Sequence, residues 1–416
     1  MKAAFRLDSG VGFGDSGRYS FAGQHPFGIF RAWGDQAEFL TESAVRHWTG
    51  DPFDALREVL QGYERTPRSG SPLQQGGMVG YLGYGLRRWT EQTPDRAVND
   101  LNLPDIWLGC FENINCEEGC ASLSLPPVAA LSRTQKRQTQ VPTSNFTRHA
   151  YLETVQRVKD YIVAGDVYQV NLAQRFTLPL SGTPASLYNR LRHNNRAPFS
   201  AYIDAGSFQI VSASPERFLH FDPVTRRVET RPIKGTRPRG ETGGSDVRLA
   251  QALQASEKDN AEHIMIVDLE RNDLGRVCET GTVRVPELCR LEAHPTVWHL
   301  VSIVEGRLKL GCDRIDLLRA TFPGGSITGA PKIRAMEIID ELEPTARGVY
   351  TGAIGYLGFD GTMDLNIAIR TIVIQEGRAY VQVGGGIVAD SDPAAEYEET
   401  LDKAKAQLWA LGAEAD

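Results

Sequence analysis

Lys234 lies in Arg231-Pro232-Ile233-Lys234-Gly235-Thr236. The proline before it fixes one backbone angle and removes a donor, and the glycine after it lets the chain turn or approach a ligand closely. An amine held this way can act as a nucleophile or as an anion clamp. Two carboxylate pairs could accompany it. Asp392-Pro393 reads as a helix cap followed by a first-turn proline, and in the helix that follows Glu396, Glu399 and Lys403 share one stripe. At about 100° per residue, Tyr397, Leu401, Ala404 and Leu408 make a separate apolar stripe. Carboxylates at i and i+3 can share one hard cation, with water or substrate oxygens completing its shell, or they can form a solvated face. Asp259 and Glu262 are the second pair, leading into the apolar run Ile264-Met265-Ile266-Val267, where a carboxylate has to be paired or metal-bound. Two such pairs suggest one Mg²⁺ facing an anionic substrate. His263 reads as a packed or hydrogen-bonded histidine, because oxygen donors suit Mg²⁺.

Two glycine-rich stretches look functional at first. Gly12-Phe13-Gly14-Asp15-Ser16-Gly17 fits GxGxxG, but the following Arg18-Tyr19-Ser20-Phe21 reads as strand where a dinucleotide fingerprint needs a helix. It reads as a turn. Gly324-Gly325-Ser326-Ile327-Thr328-Gly329-Ala330-Pro331-Lys332 lacks the Gly-Lys-Ser/Thr ending of a phosphate loop. Pro331 suits the first turn of a helix over 331–339. The glycines before it either aim amides at an anion or form a loop ended by a well-capped helix.

These residues need elements to hold them. Gly28–Trp33 and Gly77–Tyr84 read as short strands joined by tight turns, and the first 120 residues look β-rich. The polar stretch Arg133–Gln140, bracketed by Pro126-Pro127 and Pro142, reads as a loop. From about residue 147 helical periods (Tyr151, Val155, Val158, Ile162) alternate with strands such as Phe208–Val211 and Ala379–Val383, which gives a mixed α and β class rich in antiparallel sheet. The 416 residues, 41% apolar and 23% charged, suffice for a large core. No apolar run spans a bilayer and the start carries no signal-peptide pattern, so a cytoplasmic protein with no membrane partner is expected. The net charge of −7 argues against a nucleic-acid partner. Cys110, Cys116 and Cys120 lack metal-ligand spacing and read as reduced thiols.

In order along the chain, Ser214-Pro215-Glu216-Arg217-Phe218, Pro232–Thr236, Ala261-Glu262-His263 through Asp273, His294–Leu300, Gly329–Lys332, Tyr350–Gly355 and Gly384-Gly385-Gly386 through Thr400 resemble the chorismate-binding family. That family includes the anthranilate synthase large components, aminodeoxychorismate synthase component I, and the isochorismate and salicylate synthases. The resemblance implies an α+β fold of large antiparallel sheets forming a sandwich with helices packed outside. It implies a β-rich region over 1–120, a linker over 121–147 and a chorismate-binding catalytic region over 148–416. By the same resemblance Glu262 and Glu399 would be Mg²⁺ ligands, with Asp259 and Glu396 as outer ones. Tyr350, Arg370 and the amides near Gly385 and Gly386 would clamp the enolpyruvyl carboxylate, and Thr236, Thr328, His299 and Lys403 would be further substrate-site groups. Glu216 would be the general acid for the departing C4 hydroxyl, which requires a raised pKa. Gln169 stands where the water-activating branches carry lysine, so attack by water is disfavoured. Lys234 stands where anthranilate synthases usually carry alanine and aminodeoxychorismate synthases carry lysine. The implied reaction is amination of chorismate to 4-amino-4-deoxychorismate for 4-aminobenzoate and folate synthesis, through a Lys234 adduct at C2; the alternatives are an anthranilate synthase component I of tryptophan synthesis and a non-catalytic regulatory chorismate-binding subunit. Arg231, Arg237 and bound Mg²⁺ are expected to lower the Lys234 pKa. The chain shows no glutaminase-type cysteine motif, so ammonia is expected from a separate glutamine amidotransferase subunit. Leu7-Asp8-Ser9-Gly10 resembles the region where relatives hold tryptophan, and reads equally as a plain strand end.

Overall fold

The computed structural model describes residues 1–9, 13, 18–67, 71–118, 141–294 and 297–413. Most of the Gly12–Gly17 turn, Gly10, Cys120 and the polar stretch Arg133–Gln140 fall outside these residues. Two antiparallel sheets, of ten and twelve strands among the described residues, account for nearly all the strand structure. The first runs Gly329–Ala330, Gln169–Pro179, Arg378–Ile387, Thr371–Gln375, Phe208–Ser214, Phe199–Asp204, Ala4–Asp8, Tyr19–Gln24, Asn115–Glu118, with Thr143–Ser144 along Gln169–Pro179. The second runs Ile233–Pro238, Val297–Arg307, Arg227–Arg231, Arg217–Asp222, Met363–Ile367, Ala353–Gly358, Gly77–Leu82, Ile106–Phe111, Gly28–Trp33, Gln36–Thr41, Val45–Thr49, with Arg284–Ala293 along Val297–Arg307. Both sheets take strands from the first 120 residues and from the region after 148.

The sheets face each other across an aromatic layer. Phe5, Phe21, Ile203, Phe208 and Ile210 from the first meet Tyr81, Trp107, Phe111 and Tyr356 from the second. Each such large side chain contributes about 1.5–3 kcal/mol when fully removed from water. Helices cover the outer faces. Leu187, Tyr188 and Leu191 of Pro184–Asn194 and Ala404, Leu408 and Leu411 of Pro393–Leu411 lie on the first sheet. Helices Pro52–Gly62, Glu257–Val277 and Arg314–Thr321 lie on the second, and Lys332–Leu342 packs beside Gln169–Pro179 and Gly329–Ala330 of the first. This is the sandwich with external helices that the sequence leads one to expect. Among the described residues no helix is long and apolar enough to cross a membrane.

Three details differ from the sequence reading. Pro331 is the cap of Lys332–Leu342, not its first turn, and makes no side-chain cap bond. The run after Glu262 is one face of an amphipathic helix: His263, Ile266 and Val267 are buried while Ile264 is exposed. In Pro393–Leu411 the buried stripe is Glu396, Thr400, Ala404, Gln407, Leu408 and Leu411, with Tyr397 and Leu401 only half-buried. That helix is turned so that its polar edge, rather than its apolar stripe alone, meets the sheet. The predicted cap holds: Asp392 accepts from Ala395 N, with Pro393 in the first turn.

Candidate active site

Lys234 comes from the edge strand Ile233–Pro238, where the register against Val297–Arg307 slips between Lys234 and Thr236. Gly235 sits at that slip with φ +72°, a region costly for other residues. A side chain there would also start 2.9 Å from Leu253 Cδ1 and 3.2 Å from Asp259 Cβ. The glycine therefore lets the helical layer close over the strand and turns the lysine inward. Lys234 Nζ donates to Ser326 O at 3.2 Å. Burial first, and then the Lys403 ammonium, hold its amine below the ordinary 10.5, against the charges of Glu262, Glu216 and Glu399. Arg231 and Arg237, expected to drive that shift, are instead committed elsewhere: Arg231 Nε donates to Glu229 at 2.5 Å and Arg237 Nη2 to Asp259 at 2.7 Å. An arginine already paired with a carboxylate has little field left for its neighbour.

Glu216 follows the strand Phe208–Ser214 and is buried, 4% exposed. Burial pushes its carboxyl up to about 7, against the Ser326 hydroxyl, the Lys234 charge and the Ile233 amide. A carboxyl at that value is still substantially protonated at neutral pH, as a general acid must be.

The helix Pro393–Leu411 supplies the facing wall. Lys403 Nζ pairs with Glu399 Oε1 at 2.5 Å and donates to Gly384 O at 2.9 Å. Burial raises the Glu399 carboxyl, but Lys403 and Lys234 outweigh it and the net shift is downward. Glu396 is buried; Ser391 Oγ donates to its Oε1 at 2.5 Å, and Oε2 has no hydrogen-bond partner. Gly385 leaves room beside that orphaned oxygen: a side chain there would begin 3.2 Å from Glu396 Oε2 and 3.6 Å from Glu399 Oε1. Glu262, half-buried, has its carboxyl raised by burial against the Lys234 charge. Among the described residues no three Asp, Glu, His or Cys side chains converge on a single ion position. Even so, an unpartnered buried carboxylate oxygen beside an open glycine cradle suits a hard, oxygen-seeking cation. Asp259 stands apart, tied to Arg237.

The remaining candidates line the floor. Gln169 is buried, its Oε1 without a partner, and its amide fills the space over Gly386, where a side chain would begin 2.0 Å from Nε2. Thr328 Oγ1 donates to Gly324 O and Gly325 O at 3.0 and 3.2 Å, so its hydroxyl proton is spent on its own turn. Tyr350 is buried and its phenol raised by burial. Arg370 holds φ +52°, a strained value for arginine costing about 1–3 kcal/mol, and its Nη1 is fixed by Lys403 O. Burial lowers its pKa, with Tyr350 and Glu399 opposing. His299 Nδ1 meets the exposed Thr236 Oγ1 at 2.9 Å; burial, His294 and Arg370 push the imidazole to about 3, so it is neutral. His263 is packed as expected, with Nε2 2.6 Å from Ser302 Oγ. Lys332 is not a free cation for an anion seat: its buried ammonium is held by Asp273, Thr321 O and Pro323 O.

Two structural contributors were not foreseen. Ser326, within the quoted glycine-rich stretch, touches Lys234 and faces Glu216. Arg347 is fully engaged. Its guanidinium bonds both Glu343 oxygens, Ile327 O, Asn171 O and Thr351 Oγ1, while Glu343 in turn accepts from Ala173 N at 2.9 Å. Its plane lies 4.9 Å from the Tyr84 ring centre and 5.7 Å from that of Tyr350. Separately, Leu7, Asp8 and Ser9 line a cavity of about 160 Å³ between the sheets, where Asp8 is held by Arg6, Arg192 and Tyr188.

Residues 16–408 match the family described as chorismate binding enzyme. Aminodeoxychorismate synthase component 1 of Salmonella typhimurium is 45% identical over 376 residues, covering 87% of this chain and 82% of that protein. Anthranilate synthase component 1 of Thermus thermophilus is 43% identical over 432 residues, covering 98% and 92%. The crystal structure of anthranilate synthase component I from Streptococcus pneumoniae superposes with a TM-score of 0.82 at 33% identity, covering 94% of this chain and 92% of that one. With a match that runs through both sheets and every element that carries the candidate site, the chain belongs to the chorismate-binding enzyme family.

Proposed function

We propose that this chain aminates chorismate at C4 to give 4-amino-4-deoxychorismate, as the chorismate-handling component of an aminodeoxychorismate synthase. The observation that carries this reading is Lys234: an inward-facing amine with a depressed pKa, beside a carboxyl held near 7. In the first displacement the Lys234 amine forms a bond to C2, the ring double bond shifts, and the C4–O bond breaks as Glu216 gives its proton to the departing hydroxyl, which leaves as water. In the second, ammonia bonds to C4 and the C2–N bond to Lys234 breaks. The ammonium so formed returns one proton to Glu216. Two displacements leave nitrogen para to the ring carboxylate. Gln169 cannot serve as a base for water, which favours nitrogen over oxygen entry.

Arg370 and Tyr350 would hold the enolpyruvyl carboxylate with the amides of Gly385 and Gly386, since a planar guanidinium is a natural bidentate partner. Glu262, Glu396 and Glu399 would hold Mg²⁺, and Asp259 would join only by leaving Arg237. Bound there, the ion would neutralise the ring carboxylate and the surrounding acids. Ammonia would come from a separate glutamine amidotransferase subunit, and the site would work in the cytoplasm on the way to 4-aminobenzoate and folate. Relatives named anthranilate synthase component 1 are about as similar, so the second reading is ammonia adding directly at C2.

The test incubates purified protein with chorismate, Mg²⁺ and an ammonium salt at high pH, then adds aminodeoxychorismate lyase. The expected result is 4-aminobenzoate only after the lyase. Fluorescent anthranilate formed without lyase would sink the reading in favour of the second. Lys234→Ala is expected to lower C4 amination by about 10³-fold or more, as loss of an activated nucleophile does. Glutamine should replace ammonium only when the amidotransferase subunit is present.

A further inference from the structure

The helix Arg314–Thr321 begins beside a cavity of about 220 Å³ on the outer face of the second sheet. A single water needs only about 10–15 Å³ of such space, so a molecule of several heavy atoms fits. Leu60 of the helix Pro52–Gly62, Phe221 of the strand Arg217–Asp222 and Ile315 give it apolar walls, and Arg226 and Arg314 line it as well. None of its lining residues belongs to the candidate active site.

Arg314 is 6% exposed. Its Nη1 donates to Gly358 O, and at 3.4 Å to Thr362 O; among the described residues its Nε and Nη2 donate to nothing. Nε and Nη2 form the edge of a guanidinium that presents two parallel N–H groups, the edge suited to a bidentate oxyanion. Elsewhere in the chain that edge is filled. Arg217 gives it to Asp364 at 3.1 and 3.0 Å, and Arg239 gives it to Asp246 at 2.8 and 2.6 Å.

The acids around Arg314 make no ion pair with it. Asp313 accepts from Arg57 at 2.8 Å and from the amides of Ile315 and Asp316, Asp360 accepts from Thr362 Oγ1 at 2.6 Å, and Glu64 is exposed. Burial lowers the Arg314 pKa to about 10 against those three charges, so it is still a cation at neutral pH. Arg226 adds a second positive charge, its Nε and Nη2 meeting only the carbonyls of Leu308, Lys309 and Cys312. A desolvated cation with an open bidentate edge, set in a partly apolar cavity, has the makings of an anion site.

We propose that this cavity binds a small organic anion: its carboxylate or phosphate head takes Nε and Nη2 of Arg314, and its short apolar body lies against Leu60 and Phe221. The proposal is independent of the reaction at the other end of the sheet.

The test titrates the full-length protein with butyl phosphate, butyrate and inorganic phosphate, following the Arg314 Nε–Hε signal by NMR. That signal is the one missing from Arg314→Lys. Butyl phosphate or butyrate, whichever head the edge prefers, should move it along a saturable curve with a midpoint of about 1 mM or lower. Inorganic phosphate, which lacks the body, should need about tenfold more than butyl phosphate. Glu64→Gln, an exposed change that removes a competing charge, should tighten binding by about two- to threefold. A crystal structure of the wild type with the tighter probe needs no variant: the head should lie about 3 Å from Nε and Nη2. An Arg314 signal unmoved by all three probes, equal midpoints for the two phosphates, or density in the active site alone would overturn the proposal. So would a shift of the signal in Glu64→Gln without any added anion, which would make Glu64 the partner of that edge in solution.

Discussion

At Lys234 and Glu216 the same burial does opposite things to two groups, lowering an amine and raising an acid, because it disfavours whichever form is charged. In the proposed mechanism the reactive form has Glu216 protonated and Lys234 neutral. Glu216 leaves that form as pH rises through about 7, while Lys234 enters it as pH approaches its own value, which starts from 10.5 and is lowered. With the acid titrating below the amine, kcat/KM is expected to climb about tenfold per pH unit up to a break near 7, to level off, and to fall once Lys234 has lost its proton. In Glu216→Gln the break near 7 should vanish, so that a rate lower by about 10²–10⁴ keeps rising through it. A break that persists in the variant would assign it to another group. These two residues were legible in the sequence because each stands in a short contiguous motif. The cause of the Lys234 shift was not: Arg231 and Arg237 are adjacent in sequence, yet their guanidinium groups are spent on Glu229 and Asp259, partners that only the strand and helix placement reveals.

Between elements, contact is made by absence as much as by side chains. The strands Gln169–Pro179 and Arg378–Ile387 pair Asn171 with Gly386 and Leu172 with Gly385, and the missing side chains leave the space that Gln169 and the Glu396–Glu399 pair face. Gly386→Ala should push Gln169 out of place and raise KM for chorismate by about tenfold, with a melting temperature lowered only slightly; an unchanged KM would mean that Gln169 does not line the substrate. Arg347 does the opposite job, joining the Gln169–Pro179 strand, the Ile327 turn and Thr351 through one guanidinium. Arg347→Met leaves Glu343 buried and uncompensated, and should cost about 3–5 kcal/mol in chemical denaturation. The double variant Arg347→Met, Glu343→Leu should recover part of that loss. Sequence patterning marked the helices Arg148–Val163, Lys332–Leu342 and Pro393–Leu411 and a handful of strands, but not Arg347 or Ser326, whose partners are scattered along the chain.

On the scale of the whole molecule, the α+β class and the sandwich followed from strand-like runs and family motifs. How thoroughly the two ends of the chain interleave did not, because pairing order is a three-dimensional property. Strand Arg378–Ile387 lies between Gln169–Pro179 and Thr371–Gln375, and Ala353–Gly358 with Met363–Ile367 joins the N-terminal strands of the second sheet to the rest. The consequence concerns synthesis. While the ribosome is still translating residues before about 350, each sheet lacks central strands, and the wall bearing Glu396 and Glu399 does not yet exist. A nascent chain stalled there should be digested readily by protease, whereas one extended past residue 411 and clear of the exit tunnel should resist. The enzyme is thus made as an unfinished sheet and becomes a folded protein, and a site, in the same late step.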